Sequence, residues 1–166
     1  MSVSKNWASA DSDQAEPTIR VAVLDDLPRV QELDAEVFKD LAYPRFALRQ
    51  LLDLHAPGWA VAERESELVG YSLIAPDFNR ETAWLLALGV REDCRGQRIG
   101  WDLLKHSLDS LKSVDVKQVT LTVAPDNETA ITLYKKAGFV MLGLQQDYYG
   151  PGEDRLLMQL HLGRHD

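Results

Sequence analysis

Residues 90–101 read VREDCRGQRIGW. They follow the most apolar run of the chain, residues 83–90 (AWLLALGV), and open a helical pattern carried by Ile99, Leu103, Leu104, Leu108 and Leu111. The spacing predicts a strand, a tight turn and a helix. In such a turn several backbone N–H groups point at one spot, and the helix start adds the positive end of its dipole. That is the general form of a phosphate cradle. Gly96 and Gly100 let the backbone turn sharply and approach a ligand. Arg91, Arg95 and Arg98 add positive charge to a chain that is acidic overall.

The spacing of the turn narrows what it can hold. A Walker loop needs four residues between its glycines and then Lys-Ser/Thr. Here Gly96 and Gly100 have three between them, and Trp101-Asp102 follows. The dinucleotide pattern G-x-G-x-x-G is absent. Neither a nucleoside triphosphate nor NAD is expected.

Composition sets the class. The 166 residues suffice for one core and one domain. No apolar run approaches the roughly 20 residues that span a bilayer, and residues 1–17 (MSVSKNWASADSDQAEP) lack the charged head and apolar middle of a signal peptide. The single cysteine, Cys94, excludes an internal disulfide and fits a reducing cytoplasm. A net charge of −8 argues against a general nucleic-acid binder. Residues 1–80, with 8 Lys/Arg against 14 Asp/Glu, carry net −6 of it; an acidic first half could favour a cationic acceptor, or be only a soluble surface.

Residues 1–17 read as a polar tail in which Trp7 is the odd residue, and residues 18–166 as the domain. Residues 18–23 (TIRVAV) alternate as a strand. Asp25 or Asp26 can cap a helix with Pro28 in its first turn and Leu27, Val30, Leu33 and Val37 at helical spacing. Ala42-Tyr43-Pro44 breaks it, and a second amphipathic helix runs through Phe46, Leu48, Leu51, Leu52 and His55. Residues 59–64 and 68–75 are strands joined by a short hairpin, and 76–80 is a connection. Residues 83–90, apolar throughout except for glycine, should be a central strand covered on both faces. After the turn and its helix, residues 116–123 (VKQVTLTV) alternate as a strand. Asn127 can cap a helix with Ile131, Tyr134 and Ala137 inside, ending at Gly138. Strands at 139–144 and 156–162 flank a turn at 149–152. The order β-α-α-β-β-β-α-β-α-β-β implies an α/β domain: a mixed sheet of about seven strands with helices on both faces.

Residues 95–100 (RGQRIG) resemble the acetyl-CoA signature of the GNAT superfamily of N-acetyltransferases, Arg/Gln-x-x-Gly-x-Gly/Ala. Residues 123–138 (VAPDNETAITLYKKAG), followed by Phe139, resemble the second GNAT block, in which Asn, a small residue, Tyr and Gly-Phe recur at these separations. The two blocks span most of residues 83–140, and the element order is similar to the family's throughout, including its mostly antiparallel sheet. One departure is plain: Arg98 stands where the family usually has Gly. A Cβ there calls for a right-handed backbone or a more distant phosphate.

The resemblance implies acetyl-CoA as co-substrate, with no metal. Leu88, Gly89 and Val90 would offer backbone groups to the pantetheine arm, in the gap between this strand and residues 116–123. Arg95, Gly96, Gln97, Arg98, Ile99, Gly100 and Trp101 would hold the pyrophosphate, and Asn127 the arm or the neighbouring backbone. Tyr134 would stand near the thioester sulfur as general acid, since a phenol near pKa 10 keeps its proton at neutral pH. Position alone would make it a core aromatic. Val90 N–H is the candidate oxyanion donor.

The base is less clear from the residues. RimI-type protein N-terminal acetyltransferases carry a glutamate on the strand before the second block, where this chain has Thr122. Glu81 acting through water is the candidate, with Glu36 and Asp34 as further options; an amine that arrives neutral needs none. Tyr148-Tyr149 before Gly152-Glu153-Asp154, and Tyr43-Pro44, are similar to the residues that border the peptide entry of RimI-type enzymes. A hairpin-turn pair without a ligand is the plainer reading of Tyr148 and Tyr149.

The expected activity is transfer of an acetyl group to a primary amine, at a protein N-terminus. The alternatives are a small-molecule amine as acceptor, or an acyl-CoA-binding regulatory module with little catalysis. The expected setting is cytoplasmic, as monomer or homodimer, without nucleic acid or membrane. The four histidines have no metal spacing with one another or with Cys94.

Overall fold

The computed structural model describes residues 15–77 and 81–163. The expectations for Trp7 and for most of the tail lie outside these residues. Seven strands and four α-helices follow the expected order: β1 Thr18–Val21, α1 Leu27–Phe38, α2 Arg45–His55, β2 Trp59–Arg64, β3 Glu67–Asp77, β4 Thr82–Val90, α3 Ile99–Ser110, β5 Gln118–Val123, α4 Glu128–Lys136, β6 Val140–Gln145 and β7 Arg155–His161. They form one sheet in the order β1-β2-β3-β4-β5-β7-β6. Every neighbouring pair is antiparallel except β4 and β5.

Strand alternation divides the core between the two faces. On β2, Trp59 and Val61 pack with Leu27, Val30 and Leu33 of α1 and Leu48 and Leu52 of α2. The intervening Ala60 and Ala62 face Ile99 and Leu103 of α3. A third cluster joins α3 and α4 to β4, β5 and β7 through Leu85, Leu104, Leu121, Tyr134 and Met158. α1 and α2 therefore cover one face, and α3 and α4 the other.

The polar residues at the start of α1 act differently from the expectation. Asp26 stands at the N-cap, but its carboxylate makes no cap bond. It is almost fully buried and accepts from Arg20 (2.7 and 2.8 Å), Arg29 (2.7 Å) and the Val23 amide (2.8 Å). This ties β1 to the helix and ends the strand at Val21 rather than at residue 23. Asn127 does cap: its Oδ1 accepts from the Ala130 amide at 3.1 Å. Gly138 takes the left-handed position after α4, at φ +100°.

Two features of β4 position the site. Its pairing with β5 covers only Thr82, Ala83 and Trp84, opposite Gln118, Val119 and Thr120. Past Trp84 the two parallel strands part. The register against β3 also slips, so that Ala87 faces Leu73 and Leu85 faces Ile74, leaving Leu86 as an extra residue. Such a bulge bends a strand and sharpens its twist. The central strand thus opens a wedge in the sheet where its apolar run ends.

Candidate active site

The wall of the wedge follows from hydrogen-bond alternation. The Arg91 amide donates to Val69 O at 2.9 Å, and Gly89 faces Tyr71 in the same ladder. Leu88 and Val90 lie between bonded positions, so their N–H and C=O groups point away from β3 and into the gap. Gly89 directs its own groups to β3. A Cβ on Gly89 would stand 3.4 Å from Val37, Phe38 and Tyr71, so the end of α1 packs directly on this strand.

The turn after β4 is a short 3-10 segment, Glu92–Cys94, followed by two left-handed residues. Gly96 has φ +76°. Arg98, the residue before α3, has φ +66° and ψ 0°. The expectation of a right-handed backbone at Arg98 is therefore overturned: the chain keeps the left-handed conformation of a glycine and places an L side chain in it. The amides of residues 96–101 have no protein acceptor among the described residues; the first bond of the helix runs from Asp102 N–H to Arg98 O at 3.0 Å. Unpaired N–H groups at the start of a 12-residue helix form an anion site, so these residues fit a pyrophosphate.

The three arginines separate. Arg91 is committed to Glu67 (2.9 Å) and Asp93 (2.6 Å). Arg95 donates to Val90 O at 3.2 Å and thereby holds the strand end. The Arg98 side chain is exposed and makes no bond among the described residues. Trp101 lies beneath the Lys136 ammonium, 4.8 Å from the ring centre. Cys94 is buried, and burial pushes its thiol pKa up, with Asp93 adding to the shift. A protonated, buried thiol is a poor nucleophile.

On the α3–α4 face, Tyr134 belongs to the cluster that contains Leu121 and Val123 of β5, with Leu88 of β4 packed against it. Its ring meets Phe139 at 5.8 Å. Its hydroxyl has no partner among the described residues, and burial alone raises its pKa well above the usual phenol value. The core reading of the ring and a proton held at the hydroxyl are thus compatible.

A sequence model of the acetyltransferase (GNAT) family matches residues 23–139. The chain belongs to that family. The N-alpha-acetyltransferase of Sulfolobus acidocaldarius is similar, 30% identical over 152 residues covering 84% of this chain and 89% of that one. The N-alpha-acetyltransferase RimI of Mycobacterium tuberculosis is 31% identical over 144 residues, 83% of this chain and 87% of its own. Among solved structures, Arabidopsis thaliana Naa50 in complex with the bisubstrate analogue CoA-Ac-MVNAL shares the fold, with TM-score 0.78 and 22% identity over 89% of this chain and 100% of that one. As a GNAT N-acetyltransferase, the protein moves an acetyl group from acetyl-CoA to a primary amine.

On the opposite side of the wedge from the phosphate turn, two loops of this acetyltransferase meet. Tyr43, from the α1–α2 connection, reaches Leu86 O at 3.5 Å. Tyr149, from the β6–β7 loop, reaches the Thr122 hydroxyl at 3.2 Å. The two phenols are close enough to interact: burial, then Tyr149 and Asp34, raise the Tyr43 pKa. Tyr149 is braced by Tyr148 edge-on at 4.8 Å and by the Arg155 guanidinium 4.9 Å from its ring. The hairpin-turn reading of the tyrosine pair is right about its place, and the pair also points a hydroxyl at Thr122.

The three candidate bases lie in different places. Glu81 precedes β4 at the closed end of the wedge, seven residues from Leu88 and thus roughly 23 Å along an extended strand. It pairs with Lys117, at the end where β4 and β5 are still joined. Asp34 is fully buried with both oxygens engaged, one by the Tyr43 amide at 2.6 Å and the other by the Tyr71 hydroxyl. Glu36 is exposed on α1. Asn127 spends its Oδ1 on its own helix, which leaves the neighbouring-backbone role. Among the described residues no three His, Cys, Asp or Glu side chains gather as metal ligands, and no helix is long and apolar enough to cross a membrane.

The Asp34–Tyr71 pair went unread in the sequence, although a signal existed. Asp34 falls on the apolar stripe of α1, four residues after Val30 and one after Leu33. A carboxylate there must be paired.

Proposed function

We propose that the acceptor of this N-acetyltransferase is the free α-amine of a protein N-terminus. The observation that carries the reading is the mouth of the wedge. Tyr43 and Tyr149 wall it with phenols, while Leu41, Phe46 and Tyr148 beside them in sequence are exposed. The β6–β7 carboxylates are committed to their own loop: Asp147 accepts from Gly152 N–H at 2.7 Å, Asp154 from Asp147 N–H at 2.8 Å, and Glu153 pairs with Arg155. A polyamine would need such carboxylates free, whereas an apolar mouth with fixed hydroxyls suits an uncharged chain behind one amine. The named relatives act on α-amines, which supports the same acceptor. Nascent N-termini are met in the cytoplasm, and the reading places the enzyme there.

Acetyl-CoA supplies the activated acetyl group as a thioester. The amides of residues 96–101 and the Arg98 guanidinium hold its pyrophosphate, and the gap-facing groups of Leu88 and Val90 hold the arm. Val90 N–H donates to the oxygen that gains charge as the amine nitrogen bonds to the carbonyl carbon. Tyr134 gives its proton to the sulfur as the carbon–sulfur bond breaks. The amine enters neutral; an α-amine with pKa about 8 is partly so at neutral pH, and the proton it loses on acetylation passes to water.

Release of free CoA tests the acceptor across a panel: a peptide with a free N-terminus, the same peptide blocked, spermidine and free amino acids. Turnover is expected with the free peptide alone, rising with pH as the amine deprotonates. Preference for spermidine would refute the reading. Thr122, at the place of the RimI-type glutamate, favours one other acceptor, a small-molecule amine, and the same panel detects it.

A further inference from the structure

We propose that Asp34 is the positioning residue of the acceptor wall: its buried carboxylate clamps the α1–α2 connection to β3 and thereby sets Tyr43 over Leu86. This rests on reading the Tyr43 side of the wedge as the acceptor site.

The carboxylate reaches no solvent, yet it is not idle. One oxygen takes the Tyr43 amide at 2.6 Å, and the other takes the Tyr71 hydroxyl. Tyr71 is itself fixed, fully buried and stacked on Trp59 at 6.0 Å. Asp34 therefore joins a buried strand to the helix–helix connection. That connection carries strain: Lys39 has φ +52° and ψ −117°, a region that L residues rarely adopt. Strain of this kind persists only where the surroundings over-determine it. The restraints are the Lys39 amide on Ala35 O, the Ala42 amide on Lys39 O at 3.0 Å, and the Tyr43 amide on Asp34. Of these backbone restraints, the last ties the far end of the connection to α1, and so to the body of the domain. The ring it places contacts Leu86 O, the bulge residue that opens the wedge. A chain of contacts thus runs from Tyr71 through Asp34 and Tyr43 to the strand that presents the thioester.

The test compares Asp34→Ala, Asp34→Asn and Tyr71→Phe in the full chain, using the KM of a free N-terminal peptide, the KM of acetyl-CoA and the melting temperature. Asparagine can accept from the Tyr43 amide with Oδ1 and donate to the Tyr71 oxygen with Nδ2, so it keeps the clamp. Asp34→Ala is expected to raise the peptide KM roughly tenfold, the worth of one lost charge-assisted bond, with acetyl-CoA KM within about twofold. Asp34→Asn is expected to restore the peptide KM, and hydrogen exchange at the Tyr43 amide should be fast only in the alanine variant.

A peptide KM unmoved in Asp34→Ala, both KM values moving together, or asparagine behaving like alanine would each overturn the inference. Where the alanine variant does not fold, Tyr71→Phe decides by the same split: a raised peptide KM with an unmoved acetyl-CoA KM supports the clamp, and no split overturns it. If the wild-type enzyme uses another amine, the peptide reading falls, and the same comparison with that amine decides the role of Asp34.

Discussion

Arg98 is the point at which sequence and conformation pull apart, and replacing it separates two effects. A left-handed backbone costs an L residue roughly 1–2 kcal/mol relative to the right-handed form. Glycine escapes that cost but gains about 0.5–1 kcal/mol of unfolded-state entropy to lose. Arg98→Gly should therefore stabilise the fold by about 0.5–1 kcal/mol, about 1–4 °C in melting temperature for a domain of this size. Arg98→Ala keeps the Cβ and gains nothing. Both remove the guanidinium, the one arginine of this turn with no bond among the described residues. Both should then raise acetyl-CoA KM alike, by roughly fivefold, for an exposed charge–phosphate contact of about 1 kcal/mol. Denaturant unfolding gives the first quantity and steady-state kinetics at fixed salt the second. Equal stability of the alanine and glycine variants would refute the strain argument, and an unchanged KM in both would refute the phosphate contact.

Other perturbations probe the rest of the site and the scaffold. Tyr134→Phe should lower kcat by about a hundredfold or more, with little change in acetyl-CoA KM and in melting temperature, because the hydroxyl has no protein partner to lose; an unchanged kcat removes the acid role. Glu81→Gln should leave kcat within about twofold and stability within about 1 kcal/mol, since its pair with Lys117 is exposed; a kcat loss of tenfold would return it to the mechanism. Asp26 has its pKa held down to about 2, first by Arg20 and then by the Val23 amide and Arg29. A carboxylate depressed on folding stabilises above its ordinary pKa near 4, and that contribution, about 2 kcal/mol, fades as pH falls toward 2. Asp26→Asn should therefore be less stable at pH 7, with the gap closing between about pH 4 and 2 in urea unfolding curves; a gap that persists at pH 2 would refute the ion-pair account.

Much of the backbone around the proposed site was legible because it is set locally. Gly96 and Gly100, the helix-start amides between them and the Asn127 cap are all set within a few residues along the chain. The inner-face position of Tyr134 was legible from the helical spacing of α4. The place of Glu81 at the paired end of β4 and β5 was not legible for the opposite reason: nearness in sequence to the apolar strand said nothing about which end of it opens. Asp34 and Tyr71 are 37 residues apart, and no local pattern joins them.

By itself, then, the sequence determined the order of elements, the tight turn between β4 and α3 and the cofactor class, since hydrophobic period, glycine placement and capping act over one or two turns of chain. The tertiary structure alone decided where β4 and β5 part, that Leu86 bulges, that Arg91 is spent on Glu67 and Asp93 while the Arg98 side chain has no bond among the described residues, and that Tyr43 reaches Leu86 and Tyr149 reaches Thr122. Those outcomes depend on register and on packing between distant segments, where a shift of one residue reverses the face a side chain presents.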